Sequence, residues 1–117
     1  MAEQAEAQRA VLSAAVLEID CAEQTAQISK RLLEIVARVL HRRGVVAALS
    51  GGVDSSVCAA LAVQALGPSK VFGLMLPEKD SSSTSLTRGK QVADQLGIPY
   101  VVEDIQPTLE AIGCYRW

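Results

Sequence analysis

A chain of 117 residues, half of them apolar, is one domain's worth of sequence with enough aliphatic side chain for a real core. Only 3% of residues are aromatic, so that core must be built from Val, Leu, Ile and Ala. A net charge of −2 gives none of the clustered basic surface that nucleic acid calls for, and no stretch reaches the ~18 unbroken apolar residues of a membrane span.

The cysteines narrow the setting. Cys21, Cys58 and Cys114 are widely spaced, odd in number, and follow no C-x-x-C or Cys/His pattern. That argues against a disulfide framework or a zinc site and for a reducing compartment. The N-terminus, rich in Ala, Glu and Gln, lacks the basic-then-apolar order of a signal peptide. The expected location is the cytoplasm.

Residues 1–9 are polar, and Val11, Leu12, Ala15, Val16 and Ile19 hint at a short helix or an extended arm. Asp20-Cys21-Ala22-Glu23 fits a capping box, with Asp20 at the N-cap and Glu23 reaching back. Beyond it Ile28, Leu32, Ile35, Val36, Val39 and Leu40 recur at three- and four-residue steps, the mark of an amphipathic helix. His41, Arg42 and Arg43 suit its last turn, where positive charge complements the dipole, and Gly44 suits its end. No residue is spaced to make His41 a ligand or base.

Val45 to Leu49 is continuously apolar and too short for a helix, which predicts a strand buried on both faces. A helix comes next, from about Asp54 to Leu66, apolar on nearly every side, with Cys58 as core packing and Gly67-Pro68 as its stop. Val71 to Leu76 predicts a second buried strand, ended by Pro77. The polar loop Glu78 to Thr84 offers N-cap candidates for a third helix, about Ser85 to Leu96, with Leu86, Ala93 and Leu96 inward and Gly97 as its stop. Gly89 inside that helix costs about 1 kcal/mol relative to Ala. Ile98 to Ile105 predicts a third strand, and Pro107-Thr108-Leu109-Glu110 opens another helix.

Strands separated by helices imply right-handed crossovers and a parallel sheet with helices on its faces. The expected fold is therefore α/β and Rossmann-like: a three-layer parallel sheet with flanking helices, incomplete at its C-terminal side. Residues 1–43 form an N-terminal helical segment and residues 44–117 the α/β domain. Ligands of such sheets bind beyond the carboxyl ends of the strands. Both Ser50–Ser56 and Pro77–Thr84 fall at that edge.

Leu49-Ser50-Gly51-Gly52-Val53-Asp54-Ser55-Ser56 is the stretch that carries chemistry. Two adjacent glycines let the backbone turn and approach a bound group closely. The N–H groups of the next helix's first turn have no partners inside the helix, and the dipole adds positive potential. Such a place suits phosphate. Asp54 supplies one carboxylate for a metal, or a cap for the helix. The loop is no Walker A motif, because no Lys comes after the glycines, and the chain contains neither G-x-G-x-x-G nor G-x-S-x-G.

Ser50-Gly51-Gly52-Val53-Asp54-Ser55 resembles the SGGxDS loop of the PP-loop ATP pyrophosphatases, which are adenine nucleotide alpha hydrolase-like in fold. Together with Val57–Leu66, Leu74–Pro77, the serine-rich loop and Gln91–Pro99, it looks like NAD synthetase over about Leu17 to Tyr115. That resemblance implies an ATP-dependent ligase. The carboxylate of deamido-NAD attacks the α-phosphate of ATP, pyrophosphate leaves, and ammonia, free or from a glutaminase, displaces AMP. It places ATP at Ala48, Leu49, Ser50, Gly51, Gly52, Val53, Asp54 and Ser55, with the base near Met75 and a contact at Ser82. Mg²⁺ would sit on Asp54, and Asp54 and Ser55 would stabilise the leaving pyrophosphate. Members of that family carry a further portion that supplies more strands, a phosphate-contacting lysine, a second metal carboxylate and much of a homodimer interface. The chain is thus expected to be the ATP-binding half. The alternatives are a nucleotide-binding module without catalysis, or another PP-loop enzyme of the GMP synthetase or tRNA-thiolating kind.

Overall fold

The computed structural model describes residues 14–79 and 81–116. Val11 and Leu12 lie outside them, while Ala14–Leu17 form a short 3₁₀ turn.

Helix α1 (Cys21–Glu34) starts on Asp20, whose carboxylate accepts the Ala22 and Glu23 N–H groups at 2.9 and 3.0 Å. Two of the unpartnered donors of the first turn are satisfied in this way. Glu23 is engaged forward instead, accepting from Gln27 Nε2 at 2.8 Å, so only the Asp20 half of the expected capping box forms. The helix then widens into a π turn, Ile35–Val39, where the Leu40 N–H reaches back five residues to the Ile35 carbonyl at 2.8 Å. The extra residue per turn moves the stop. His41 takes the left-handed conformation at φ 51°, and the Arg42 N–H closes on the Val36 carbonyl at 2.8 Å. His41 therefore ends the helix in place of Gly44, and His41–Arg43 lie past the last turn, exposed. Gly44 has a different task, because a Cβ there would strike the Lys70 carbonyl oxygen.

Strands β1 (Val45–Ala48), β2 (Val71–Met75) and β3 (Tyr100–Val102) form a parallel sheet in that order. Val45 pairs with Val71, Ala48 with Leu74, and Leu74 in turn with Val101. Each strand is shorter than the apolar run that predicts it. The ladder still continues past β1, as the Leu49 N–H donates to the Leu74 carbonyl at 2.9 Å.

Helices α2 (Val53–Leu66) and α3 (Ser83–Leu96) are the crossovers. With strands in sequential order and right-handed connections, both must lie on one face of the sheet. The core agrees: Ala59 and Ala62 of α2 and Ala93 of α3 close on Val71 and Met75, with Leu49 and Ile98 at the strand ends. α1 packs against α2. Small residues let α3 lie close. A Cβ on Gly89 would stand 3.3 Å from Met75 Sδ and 3.4 Å from the Leu49 carbonyl, so the glycine that lowers helix propensity fits a tight crossing over the sheet. Helix α4 (Gln106–Ala111) opens with Pro107 in its first turn, as its sequence predicts.

Two expectations are corrected. The strands are not buried on both faces. Val71 and Met75 are 1% exposed, whereas Val46, Phe72 and Val101, pointing the other way, are 65%, 39% and 40% exposed. A period of two sends alternate side chains to opposite faces, and α1 to α4 leave the second face bare. Cys58 is also not core: it is exposed, as are Cys21 and Cys114, and all three are free. The architecture is otherwise the expected one, a parallel α/β sheet with flanking helices, of which one helical layer is built here.

Candidate nucleotide site

The site begins where β1 stops. Gly51 turns the chain with φ 80°, a conformation that only glycine adopts without strain. The same residue also makes room, since a Cβ on it would run into the Ser85 carbonyl oxygen in the first turn of α3. The two loops at this edge of the sheet are thereby brought into contact.

Serines hold the loop's shape. The Gly52 N–H donates to Ser50 Oγ at 3.3 Å, and Ser50 Oγ and Ser55 Oγ lie 3.0 Å apart. Ser55 Oγ accepts the Ser50 N–H at 3.3 Å and donates to the Gly52 carbonyl at 3.2 Å, which leaves Ser50 as the donor between the two hydroxyls. Ser56 Oγ donates to the same carbonyl at 2.7 Å. The hydroxyls expected to face phosphate are thus spent inside the loop. The donors left over are backbone: among the described residues no acceptor meets the N–H groups of Gly51, Val53, Asp54 or Ser55. Gly52 is the N-cap of α2, so these are the donors of a helix start, with the positive end of the dipole behind them.

Asp54 stands at the second position of α2, not at its cap, which corrects the capping alternative. Its side chain is exposed, and among the described residues nothing pairs with it. No group of three or more His, Cys, Asp or Glu is arranged around a metal position among those residues.

Beside the loop lies a cleft of about 360 Å³ at the carboxyl ends of β1 and β2. Five of the residues expected to bind nucleotide line it: Ala48, Leu49, Ser50, Met75 and Ser82. Gly51, Gly52, Val53, Asp54 and Ser55, also expected to bind nucleotide, are outside that lining, in the turn that follows Ser50 and the start of α2. Leu74, Leu76, Pro77, Ser81, Ser85 and Leu86 complete the lining; Pro77 and Ser81 belong to the loop expected at the ligand edge, whereas Leu74, Leu76, Ser85 and Leu86 were not expected to face a ligand. The Ser85 position was legible only through Gly51, whose missing side chain is the space that Ser85 uses. Ser82 has a structural task too, capping α3 by accepting the Ser85 N–H at 3.0 Å. The floor is apolar and the rim is hydroxyl and amide; among the described residues no charged side chain lines the cleft. Such a volume is within the ~300–1,000 Å³ of small-ligand sites.

The second loop is held from afar. Ser81 Oγ accepts the Glu78 N–H at 3.1 Å, and the Tyr115 hydroxyl donates to Glu78 Oε2 at 2.6 Å across 37 positions of sequence. Lys79 Nζ stands 5.4 Å from the centre of the Tyr115 ring, a cation–π distance.

A parallel sheet with an SGGxDS turn and an apolar cleft beside it can be compared with known proteins. The NAD synthase family model matches residues 25–114. The chain belongs to the NAD synthase family. It is 50% identical over 108 residues to an NH₃-dependent NAD⁺ synthetase of Rhizobium meliloti, covering 92% of this chain and 32% of the relative. A second such synthetase, from Mesorhizobium japonicum, is 50% identical over 101 residues, again 32% of its own length. Among solved structures, the NH₃-dependent NAD synthetase of Campylobacter jejuni, in complex with nitrate ion, superposes with a TM-score of 0.74 at 31% identity, covering 80% of this chain and 40% of that one. The chain therefore spans about a third of the length of the curated relatives it matches.

Proposed function

We infer that this chain forms the ATP-binding part of an amide-forming ligase of the NAD synthetase type. One observation carries the reading: a turn whose serines are bonded internally, so that unpaired backbone N–H groups and a helix start border an apolar cleft. Donors fixed before the ligand arrives cost little reorganisation when charge develops on phosphate oxygens. The apolar floor, with Met75 and Leu49, suits a purine base, and the Gly51–Ser55 rim suits the pyrophosphate. Asp54, exposed and unpaired beside that rim, fits a Mg²⁺ ion, which takes one or two carboxylates together with phosphate oxygens. The metal would neutralise charge on the departing pyrophosphate.

The reaction proposed for the whole protein joins ATP, deamido-NAD and ammonia. The substrate carboxylate attacks the α-phosphorus, the bond to the β-phosphate oxygen breaks, and ammonia then displaces AMP to leave the amide. Ammonia as nitrogen source accords with the names of the relatives. A homodimer in the cytoplasm belongs to the same proposal, and among the described residues no helix is long and apolar enough to cross a membrane.

A second reading, a nucleotide-binding module without turnover, is favoured by the lack of a charged side chain in the cleft lining among the described residues. Both readings are tested on the folded chain. Calorimetry should show saturable ATP binding that pyrophosphate competes away and Asp54→Ala weakens in Mg²⁺. ATP:pyrophosphate exchange with deamido-NAD, abolished in Asp54→Ala, identifies the ligase; binding without exchange identifies the module. A folded chain that takes up neither ATP nor AMP ends both.

A further inference from the structure

Glu78, Lys79 and Tyr115 are grouped behind one wall of the cleft, and the nucleotide reading gives them no task. The Tyr115 hydroxyl donates to Glu78 Oε2 at 2.6 Å, and Lys79 Nζ stands 5.4 Å from the centre of the same ring. Two consecutive residues of the loop after β2 thus converge on a side chain that arrives 37 positions later than Glu78. Their hold reaches the cleft in one step. The Glu78 N–H donates to Ser81 Oγ at 3.1 Å and the Ser81 N–H donates to the Glu78 carbonyl at 2.9 Å, so the two residues are closed into a ring and move together. Ser81 lines the cleft with Pro77 and Ser82, whereas Tyr115 is half-buried and outside that lining.

We propose, on the reading that this cleft takes ATP, that Tyr115 is a positioning residue for the base-and-sugar half of the nucleotide. It acts through Glu78, holding Ser81 and the adjoining wall where a nucleoside is received. The bond suits the task. A phenol donating to a carboxylate is charge-assisted, with an ordinary O–H···O⁻ distance of about 2.5–2.7 Å and roughly twice the strength of a neutral hydrogen bond. A surface loop tied only to itself samples several positions, and a ligand that has to order it binds more weakly. An anchor set before the ligand arrives removes that cost, so its worth appears as nucleoside affinity. The phosphate end is independent of it, because the hydrogen bonds that shape Ser50–Ser56 run between residues of that loop.

Calorimetry on the folded 117-residue chain in Mg²⁺ tests this with two pieces of the ligand, AMP and inorganic pyrophosphate. Tyr115→Phe keeps the ring beside Lys79 and deletes only the hydroxyl. It should lower affinity for AMP and ATP by about fivefold and leave pyrophosphate affinity unchanged. A residue that merely stabilised the fold would shift the melting temperature without separating the two probes. Glu78→Ala should give the same selective loss, and adding Tyr115→Phe to it should lower AMP affinity no further, since both remove one bond. Should Tyr115→Phe fail to fold by circular dichroism, Glu78→Gln reads the bond from its other end. It keeps an acceptor and removes the charge, and a loss of about threefold confined to AMP and ATP is expected. AMP affinity indifferent to these variants, a loss shared by pyrophosphate, or additive losses in the double variant overturns the proposal and leaves the functional reading standing. A wild-type chain that binds neither ATP nor AMP overturns the functional reading and the role of Tyr115 with it.

Discussion

The two loops that meet over the cleft are built on opposite plans. Ser50–Ser56 is held by hydrogen bonds no more than five residues apart, its hydroxyls bonded among themselves and to the Gly52 carbonyl. Pro77–Ser82 leans on the rest of the molecule: Ile105 donates to the Pro77 carbonyl at 3.1 Å, and Tyr115 anchors Glu78. The first loop carries its geometry wherever its strand and helix go. The second depends on the chain beyond β3, so it is the part of the site that other portions of the protein can alter. On the proposed reading the first loop holds phosphate, which gains from rigid donors, and the second borders the base, where adjustment is tolerated.

Substitutions can break that contrast, and the largest effect belongs to the residue at which the first loop meets the start of α3. Gly51→Ala combines left-handed strain with a clash against Ser85, and should cost about 2–4 kcal/mol in urea unfolding and abolish ATP binding. Ser50→Ala removes the relay and leaves the Gly52 N–H without its acceptor. A loss of about 1–2 kcal/mol and an ATP affinity lower by about tenfold are expected by calorimetry. Ser82→Ala unseats the cap of α3 for about 1 kcal/mol; Ser82→Asp should restore the melting temperature. Tyr115→Phe deletes the distant anchor, at about 0.5–1.5 kcal/mol. Faster hydrogen exchange is expected at Glu78 to Ser82 and no change at Ser50 to Ser56. That selectivity is the sharpest check on the two plans. The smallest effect lies outside both loops. Arg31 and Glu34 form an exposed ion pair at 2.7 Å, and the guanidinium holds the Glu34 carboxyl below its ordinary value. Arg31→Ala should raise that carboxyl's titration midpoint by NMR and leave the unfolding transition where it was.

Legibility in the sequence divides along the same line between near and far. The SGGxDS turn, the Asp20 cap and the alternation of strand and helix rest on neighbours within a few positions, and all are in the structure. Gly89 reads as a cost along its helix and as a fit only once Met75 and the Leu49 carbonyl are opposite it. The stop at His41 depends on a π turn that apolar spacing does not distinguish from an α turn. Burial of Val46 and Phe72 is inferred from an apolar run, but a run records what a face is made for and not whether its cover belongs to the same stretch of chain. Tyr115 and Glu78, 37 positions apart, share no local pattern at all.

The crossing at Gly89 has a consequence for anyone who sets out to engineer this protein. A survey of helix propensity would choose Gly89→Ala first, as a gain of about 1 kcal/mol in the middle of α3. The new methyl group would press on the Met75 thioether, and Met75 lines the cleft. A change made for robustness, inside a helix, would therefore press on a residue of the cleft lining. Position 89 is in effect a tuning screw set behind that lining, and a graded series of side chains there should alter the shape of the cleft.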